Sequence, residues 1–200
     1  MLNNNRAVFL DRDGTINRDV GYPGSYKAIE VYDYSFDAVL RINQAGFLAV
    51  VVTNQSGIGR GLIEEGALLQ IHEKMGKEFK ARGARLDAFY YCPHHPQARD
   101  PAYRMDCACR KPNPEMGRRA VKDLGIDTSR SYMIGDKVAD ILFGHNIGAR
   151  SVLVLTGYGR ESEATLKENK IHPDFTALTL KEAVDWILHR EAGPGGAAQK

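Results

Sequence analysis

Two carboxylates follow the first apolar run of the chain and are its clearest chemical signal. Asp11 and Asp13 lie two residues apart in AVFLDRDGT, where a buried strand is expected to end and a glycine turn to begin. A carboxylate can accept a phosphoryl group covalently, and a second carboxylate nearby can supply and remove the proton. Mg²⁺ binds through one or two carboxylates together with phosphate oxygens of a substrate. The pair therefore predicts phosphoryl chemistry assisted by Mg²⁺, although a polar turn after a strand has the same composition.

A polar segment after the second apolar run offers donors suited to phosphate oxygens. Thr53 ends that run in VVVTNQSG, and Asn54, Gln55 and Ser56 follow with amide, hydroxyl and backbone donors. A serine-capped turn would have a similar sequence. Lys111 comes directly before a helix that begins at a proline and adds a point charge for the same phosphate, although a lone lysine is more often a solvated surface residue.

A third carboxylate follows a later apolar run. Asp136 comes directly after YMIG, a strand that we expect to lie beside the first one. The carboxyl ends of neighbouring parallel strands meet at one edge of the sheet, so Asp136 should approach Asp11. Asp140 lies one helical turn further on, where it either orients this end of the site or faces solvent.

All three cysteines of the chain lie near a pair of histidines. YYCPHHP and MDCACRKP contain the pairs Cys92 with His94 and Cys107 with Cys109, within a loop over residues 92–109. Four such ligands suit a closed tetrahedral zinc site with a structural role, whereas a catalytic zinc keeps an open position. Because adjacent side chains diverge, we expect His94 rather than His95 to bind. Three free thiols are the alternative. Zinc here would fix the loop and position the segment that follows it.

The elements that must position these residues alternate between strand and helix. Apolar runs rich in β-branched and aromatic residues predict strands over residues 7–10, 47–52, 88–91, 132–134 and 151–155. Helical periodicity followed by glycines predicts helices over residues 36–45, 64–82, 114–124 and 138–146. A last helix over residues 180–189 carries Trp186 and should pack on the sheet edge. The alternation predicts an α/β fold with one doubly wound, Rossmann-like parallel sheet, whose ligand site lies beyond the carboxyl ends of the strands.

Length and charge limit the remaining classes of function. The 200 residues suffice for one domain, which we place at residues 1–190, and residues 191–200 (EAGPGGAAQK) should form a disordered tail. With 27 basic and 25 acidic residues the formal net charge is +2, and the sequence has no concentrated basic stretch suited to nucleic acid. The apolar runs fall far short of the roughly 18 residues that span a bilayer. We therefore expect a cytoplasmic monomer that acts on a small molecule, without a nucleic acid or membrane partner.

These motifs, in this order and spacing, resemble the haloacid dehalogenase (HAD) superfamily of phosphotransferases. The shared elements are DRDGT, a strand-ending threonine, a lysine before a helix and GDxxxD, and they span most of the chain. The resemblance implies that Asp11 is the nucleophile and that Asp13 is the general acid and base. It implies that Thr53 and Lys111 stabilise the phosphoryl group. It also implies that Asp136, Asp11 and the backbone carbonyl of Asp13 hold Mg²⁺.

One branch of the superfamily matches more closely. DRDGTIN, TNQSGIGRG, YYCPHHP, CxCRKPxP and GDK resemble heptose bisphosphate phosphatases and the related histidinol phosphatases, small enzymes without a large cap domain. Arg110 should then contact a second phosphate or sugar hydroxyls, and Lys137 should approach the substrate. Glu115 departs from the branch, which commonly has glycine there, but an acidic residue suits the first turn of a helix. The resemblance implies a substrate pocket formed by Asp11, Arg12, Asp13, Asp19, Val20, Gly21, Tyr22, Thr53, Asn54, Gln55, Ser56, Arg110, Lys111 and Lys137.

The implied reaction is removal of the 7-phosphate from a heptose bisphosphate, a step toward a nucleotide-activated heptose for a bacterial surface polysaccharide. Histidinol phosphate is the alternative substrate, but a cationic substrate would favour acidic pocket walls, whereas Arg110 and Lys111 favour a second anionic group. A DNA 3′-phosphatase is a further alternative, which the balanced charge disfavours. A phosphosugar-binding protein without activity is disfavoured because all four catalytic positions are intact.

Overall fold

Six parallel strands form one sheet at the centre of the protein. The computed structural model describes residues 4–193. The sheet order is β3-β2-β1-β4-β5-β6, and each neighbouring pair is parallel. The order reverses between β1 and β4, where a doubly wound sheet opens a crevice at the carboxyl ends of its strands. The strands are β1 (Arg6–Leu10), β2 (Phe47–Asn54), β3 (Ala88–Cys92), β4 (Tyr132–Gly135), β5 (Arg150–Val154) and β6 (Phe175–Ala177).

Helices cover both faces of the sheet. They are α1 (Asp33–Gln44), α2 (Glu65–Ala81), α3 (Glu115–Leu124), α4 (Val138–Ile147), α5 (Gly159–Glu168) and α6 (Leu180–Ala192). Val8 and Leu10 of β1 pack in one core cluster with residues of α1, α2 and α6. Ala7 and Phe9, which point to the opposite face, pack in a second cluster with residues of α3 and α4. The doubly wound α/β prediction is therefore confirmed.

Glycines cap the C-terminal ends of α3 and α4. Gly125 follows α3 with φ of 61°, and Gly148 follows α4 with φ of 75°. Both lie in the left-handed region, which costs a residue with a Cβ more than it costs glycine. The backbone N–H of each glycine donates to a carbonyl in the last turn of its helix. The predicted glycine caps after these helices are thus confirmed.

The strand β6 and the helix α5 were not predicted, and the last helix extends beyond its predicted end. β6 has only three residues, and α5 buries only Gly159, Ser162 and Leu166, so neither has a clear apolar period. α6 continues to Ala192, and the Glu191 carboxylate accepts hydrogen bonds from Arg6 and Tyr132. The predicted tail therefore cannot begin at residue 191, and its residues 194–200 lie outside the described part of the chain.

The segments that follow β1 and β3 are short of regular structure, in agreement with the prediction that the protein lacks a large cap domain. Within residues 4–193, the segments after β1 and β3 contain only the single-turn helices Tyr26–Ala28 and Pro101–Tyr103 before the next α-helix, and no separate cap domain is found.

At the sheet edge, Trp186 stacks on Phe175 of β6 with ring centroids 5.0 Å apart, as the sequence predicted. No helix in the described residues combines the length and apolarity needed to cross a membrane.

Candidate active site

A buried lysine joins two buried carboxylates at the carboxyl ends of β1 and β4. Lys111 Nζ lies 2.8 Å from Asp11 Oδ1 and 2.6 Å from Asp140 Oδ1, and it donates to the Val52 carbonyl at 2.7 Å. Burial opposes the ammonium charge, but the two carboxylates outweigh it and raise the pKa of Lys111 above its ordinary value. The lysine is therefore a fixed cation beside Asp11. Asp140 faces this site, which decides between the two orientations that the sequence left open.

Three carboxylates converge here. Asp11, Asp136 and Asp140 each place an oxygen within 4.8 Å of the others, and all three residues are buried. Burial, then the charges of Asp11 and Asp140, raise the pKa of Asp136 to about 8. Burial also raises the pKa of Asp11, against the opposing charge of Lys111. The raised pKa values mean that the protein alone does not fully compensate these negative charges.

Asp136 offers one oxygen to a ligand. Its Oδ2 accepts the backbone N–H of Tyr158 at 2.8 Å. Its Oδ1 is buried and has no hydrogen-bond partner within residues 4–193. An unpartnered buried carboxylate oxygen is costly unless a cation or proton satisfies it. The oxygen-rich donor set and this open oxygen fit Mg²⁺, which prefers carboxylate and carbonyl ligands.

The turn after β5 completes this side of the site. Added Cβ atoms at Gly14 and Gly157 would both collide with the Asp136 carboxylate, and both glycines have positive φ. Thr156 Oγ1 donates to the Gly14 carbonyl at 2.6 Å and ties the two turns together. The contribution of Thr156, Gly157 and Tyr158 was not predicted from the sequence. The TGYG segment after the fifth apolar run is its only local signal.

Asp13 has surroundings opposite to those of Asp11. Its carboxylate accepts from Arg12 Nε at 3.1 Å and Arg12 Nη2 at 2.8 Å, from Asn17 Nδ2 at 2.9 Å and from Gln55 Nε2 at 2.8 Å. Burial opposes ionisation, but the Arg12 charge and these hydrogen bonds hold the pKa of Asp13 below its ordinary value. Two carboxylates two residues apart thus have pKa values shifted in opposite directions, as expected where they perform different tasks.

The polar segment at the end of β2, residues 53–56, supports both Asp13 and Lys111. Gln55 Nε2 also donates to Thr53 Oγ1 at 2.8 Å, which places the Thr53 hydroxyl near Asp13. Asn54 instead holds the backbone of Lys111, since its side chain accepts the Lys111 N–H at 3.0 Å and donates to the Lys111 carbonyl at 3.1 Å. The segment therefore fixes the lysine as well as lining the site.

Most of the predicted substrate residues line one open cleft of about 410 Å³. Lys137 Nζ in this cleft lies 3.2 Å from Asp19 Oδ2 and 4.8 Å from the centre of the Tyr158 ring. Burial opposes its charge, but Asp11, Asp136 and Asp19 together raise its pKa. The lining residues are Asp13, Asp19, Gly21, Tyr22, Asn54, Gln55, Ser56, Arg110, Lys111, Lys137, Ala139 and Tyr158.

Four predicted pocket residues lie elsewhere. Asp11 and Thr53 are buried, at 4% and 1% exposure, at the strand ends. Val20 lines an adjacent cleft of about 380 Å³. Arg12 is completely buried, and its guanidinium contacts Asp13 and His72, so its side chain does not line the cleft. The motif DRD does not predict the burial of Arg12, because a charged residue in a loop usually faces solvent.

The structure brings the four predicted soft ligands together. Cys109 Sγ lies 3.2 Å from Cys92 Sγ, 3.3 Å from Cys107 Sγ and 3.2 Å from His94 Nδ1. All four ligand atoms lie within 4.8 Å of one another, and the cysteines are not in disulfides. His95 lies outside the cluster, with Nε2 2.9 Å from Arg60. A Cys₃His set this close fits a tetrahedral metal ion.

The cluster also supports the cleft. Arg110 follows Cys109 directly, and its Nη1 donates to the His94 carbonyl at 3.3 Å. Asn113 donates to the Cys107 carbonyl at 2.8 Å. The segment that carries Arg110 and Lys111 is therefore held from both sides by the Cys/His loop.

Known proteins are similar to this chain in sequence and fold. A HAD-hydrolase-like family model matches residues 108–183. The D-glycero-β-D-manno-heptose-1,7-bisphosphate 7-phosphatase of Pasteurella multocida is 46% identical over 76% of this chain and 83% of its own length. The enzyme of that name from Escherichia coli K12 is 40% identical over 97% of this chain and 94% of its own length.

A solved structure extends the similarity to the fold. The D,D-heptose 1,7-bisphosphate phosphatase from B. bronchiseptica, crystallised with magnesium and phosphate, has a TM-score of 0.81 and 30% sequence identity. The match covers 92% of this chain and 99% of that one. The chain belongs to the heptose-1,7-bisphosphate 7-phosphatase family of HAD hydrolases.

Proposed function

We propose that the protein hydrolyses the 7-phosphate of D-glycero-D-manno-heptose 1,7-bisphosphate and releases heptose 1-phosphate and inorganic phosphate. The observation that carries this proposal is the arrangement of Asp11, which lies buried against the Lys111 cation while Asp13 opens onto the cleft two residues away. Relatives that carry this activity in their names cover nearly the whole chain.

The reaction has two steps on Asp11. An Asp11 carboxylate oxygen attacks phosphorus, the bond from phosphorus to the sugar oxygen breaks, and Asp13, which takes up a proton from solvent as the substrate binds, gives it to that oxygen. Water then attacks phosphorus and loses a proton to Asp13, and the bond from phosphorus to Asp11 breaks to release phosphate. Lys111 and Thr53 stabilise the phosphoryl oxygens as negative charge develops.

The donor sets support two different metals. Asp11, Asp136 and the backbone carbonyl of Asp13 would hold Mg²⁺, which offsets the repulsion between an anionic nucleophile and an anionic substrate. The unpartnered Asp136 Oδ1 supports this assignment. Cys92, His94, Cys107 and Cys109 would hold Zn²⁺ in a structural role, because four protein ligands leave no open position.

The charges of the cleft favour a bisphosphate over histidinol phosphate. Arg110 lines the cleft and has no salt-bridge partner within residues 4–193. It is available for a second phosphate, whereas the cationic amine of histidinol phosphate would be repelled by it. Asp19 in the same cleft is already paired with Lys137.

We further infer that the chain forms one phosphatase domain, which includes all of α6, and that it acts as a cytoplasmic monomer. The chain supplies every proposed catalytic group itself, and three clustered cysteines without disulfides are typical of a reducing compartment. Sedimentation or light scattering measures the number of subunits directly.

The experiment that tests the proposal compares substrates with Mg²⁺ present. Phosphate release is measured from both anomers of heptose 1,7-bisphosphate and from histidinol phosphate, and kcat/KM is determined for each. We expect a bisphosphate to lead by about a hundredfold or more, equivalent to about 2.7 kcal/mol of transition-state discrimination. A lead for histidinol phosphate would leave the mechanism intact and overturn the substrate assignment.

A further inference from the structure

Arg12 is one of the largest completely buried side chains of the protein, although it lies beside the active site. Its Nε and Nη2 bind the two different oxygens of the Asp13 carboxylate. Its Nη1 lies 3.2 Å from Nε2 of His72, which is 5% exposed. A buried guanidinium needs partners for its charge and its donors, and these two residues supply them.

His72 is a fixed partner for Arg12. It belongs to α2, and its ring stacks on Phe89 with centroids 4.6 Å apart and meets Tyr91 edge-on at 6.0 Å. An arginine can only donate, so Nε2 of His72 must be the acceptor and the ring must be neutral. Burial, followed by the charge of Arg12, lowers the pKa of His72 to about 3, in agreement with that role. The proposed mechanism does not otherwise use this residue.

The Asp13 carboxylate is held on every side. Each of its oxygens accepts two hydrogen bonds, one from Arg12 and one from an amide of Asn17 or Gln55. A carboxylate has about four acceptor sites, so the protein fills them all. Asp13 must therefore release one donor and take up a proton in its place before it can protonate a substrate oxygen. Arg12 is the donor that binds both oxygens, and so it sets the plane of the carboxylate.

We propose that Arg12 and His72 are positioning residues for proton transfer: His72 fixes the guanidinium of Arg12, and Arg12 holds Asp13 in the orientation from which it protonates the leaving oxygen. This inference rests on the proposed function, in which Asp13 is the general acid. It assigns a role to a helix that contributes no group to the cleft, and it gives the Arg12 side chain a role other than contact with substrate.

The leaving group distinguishes positioning from a structural role. A sugar alkoxide leaves only with a proton, whereas 4-nitrophenolate leaves readily as an anion. The ratio kcat/KM reports the steps through cleavage of the bond to the leaving group. A defect in proton donation should therefore lower kcat/KM for the sugar phosphate much more than kcat/KM for 4-nitrophenyl phosphate.

The test compares His72→Phe with His72→Gln in the metal-loaded full-length protein. Phe keeps an aromatic ring on Phe89 but offers no acceptor, whereas the Gln carbonyl oxygen can accept from Arg12. We expect His72→Phe to lose about tenfold to a hundredfold in kcat/KM for the heptose bisphosphate and to stay within about threefold of wild type for 4-nitrophenyl phosphate. His72→Gln should recover most of the loss. Arg12→Lys keeps the positive charge but lacks the planar guanidinium that binds both Asp13 oxygens, so it should show the same selective loss.

Controls separate this result from a general defect. Asp13→Asn sets the size of the selective loss when the acid is absent. Phe79→Leu changes a buried side chain of α2 that lies two helical turns beyond His72 and packs on Phe36, and it should lower the thermal unfolding temperature without changing the ratio of the two kcat/KM values. An equal loss on both substrates in His72→Phe, or no loss, would overturn the positioning role.

Failure of the proposed function can be distinguished from failure of the positioning role. If wild-type protein does not hydrolyse the bisphosphate, the same variants are compared on any alkyl phosphate that it does hydrolyse. A selective loss there still supports positioning by Arg12 and His72. A protein that hydrolyses only aryl phosphates would contradict both claims.

Discussion

Asp140 and Lys111 form a buried ion pair, with Oδ1 and Nζ 2.6 Å apart. The other oxygen of Asp140 accepts the backbone N–H of Lys137 at 2.9 Å, at the start of α4. Asp140 therefore connects Lys111, which we propose to bind phosphate, to the start of α4, while the same lysine contacts Asp11. From this geometry we expect Asp140 to support the proposed catalytic centre.

We expect Asp140→Asn to lower kcat/KM about tenfold to a hundredfold, because Lys111 loses one of its two anionic partners and its position relaxes. The amide oxygen can still accept the N–H of Lys137, so α4 should remain capped. The matched control is Asp185→Asn, which removes a carboxylate from a half-exposed ion pair with Arg41 and should have little effect on activity. Wild-type kcat/KM in Asp140→Asn would contradict the assigned role.

Mg²⁺ should stabilise the protein more at higher pH. Burial, then Asp11 and Asp140, raise the pKa of Asp136 from 3.8 to about 8, so the folded protein without metal holds a proton that the unfolded chain releases. This contribution is fully present below pH 3.8 and is lost as pH rises through about 8. Mg²⁺ must displace the same proton, so it binds more tightly above that pH.

The thermal unfolding temperature, measured with and without Mg²⁺ below and above pH 8, checks this expectation. The rise caused by Mg²⁺ should be larger above that pH and should be almost absent in Asp136→Asn. An equal rise in the variant would place the ion elsewhere.

Cys107→Ser should lower zinc content and stability together. The binding energy of a structural metal is part of the folding energy of its loop, so loss of one ligand should destabilise the protein by about 3 kcal/mol or more. Elemental analysis and thermal unfolding measure the two effects. His95→Gln changes the neighbouring histidine, which contacts Arg60 rather than the cluster, and should retain the metal. Full zinc content in Cys107→Ser would exclude Cys107 as a ligand.

His72 should make the protein more sensitive to acid. Burial lowers its pKa from 6.5 to about 3, so the unfolded chain binds a proton that the folded protein rejects. The resulting stability is present above pH 6.5 and is lost as pH falls toward 3. The free energy of unfolding by urea should therefore fall more steeply below pH 6.5 in wild type than in His72→Gln. Parallel curves for the two proteins would contradict a buried neutral histidine.

The sequence predicted the parts of the site that depend on strand ends. Asp11 and Asp136 follow β1 and β4 directly, and Thr53 lies at the end of β2. Parallel strands bring their carboxyl ends to one edge of the sheet, so spacing and periodicity were enough. The Cys/His cluster could be predicted from the sequence equally well, because closely spaced cysteine and histidine pairs are typical of metal sites.

Contacts that depend on tertiary packing were not predictable. His72 lies on a helix sixty residues from Arg12, and nothing in α2 distinguishes it from an ordinary core histidine. The approach of Gly157 to Asp136 depends on how the turn after β5 folds over the sheet edge. α5 and β6 were missed because one has a largely exposed, charged surface and the other is too short to show a period.

The central claim is that Asp11 carries the phosphoryl group during turnover. Wild-type protein is mixed with heptose 1,7-bisphosphate and Mg²⁺, quenched in acid within a single turnover and digested for mass spectrometry, with Asp11→Asn treated in parallel. We predict one added phosphoryl group on the peptide that contains Asp11, formed at least as fast as heptose 1-phosphate. The variant should show no added group and a loss of turnover of about three orders of magnitude or more. Rapid turnover without phosphorylation of that peptide, or full activity in Asp11→Asn, would contradict covalent catalysis by Asp11.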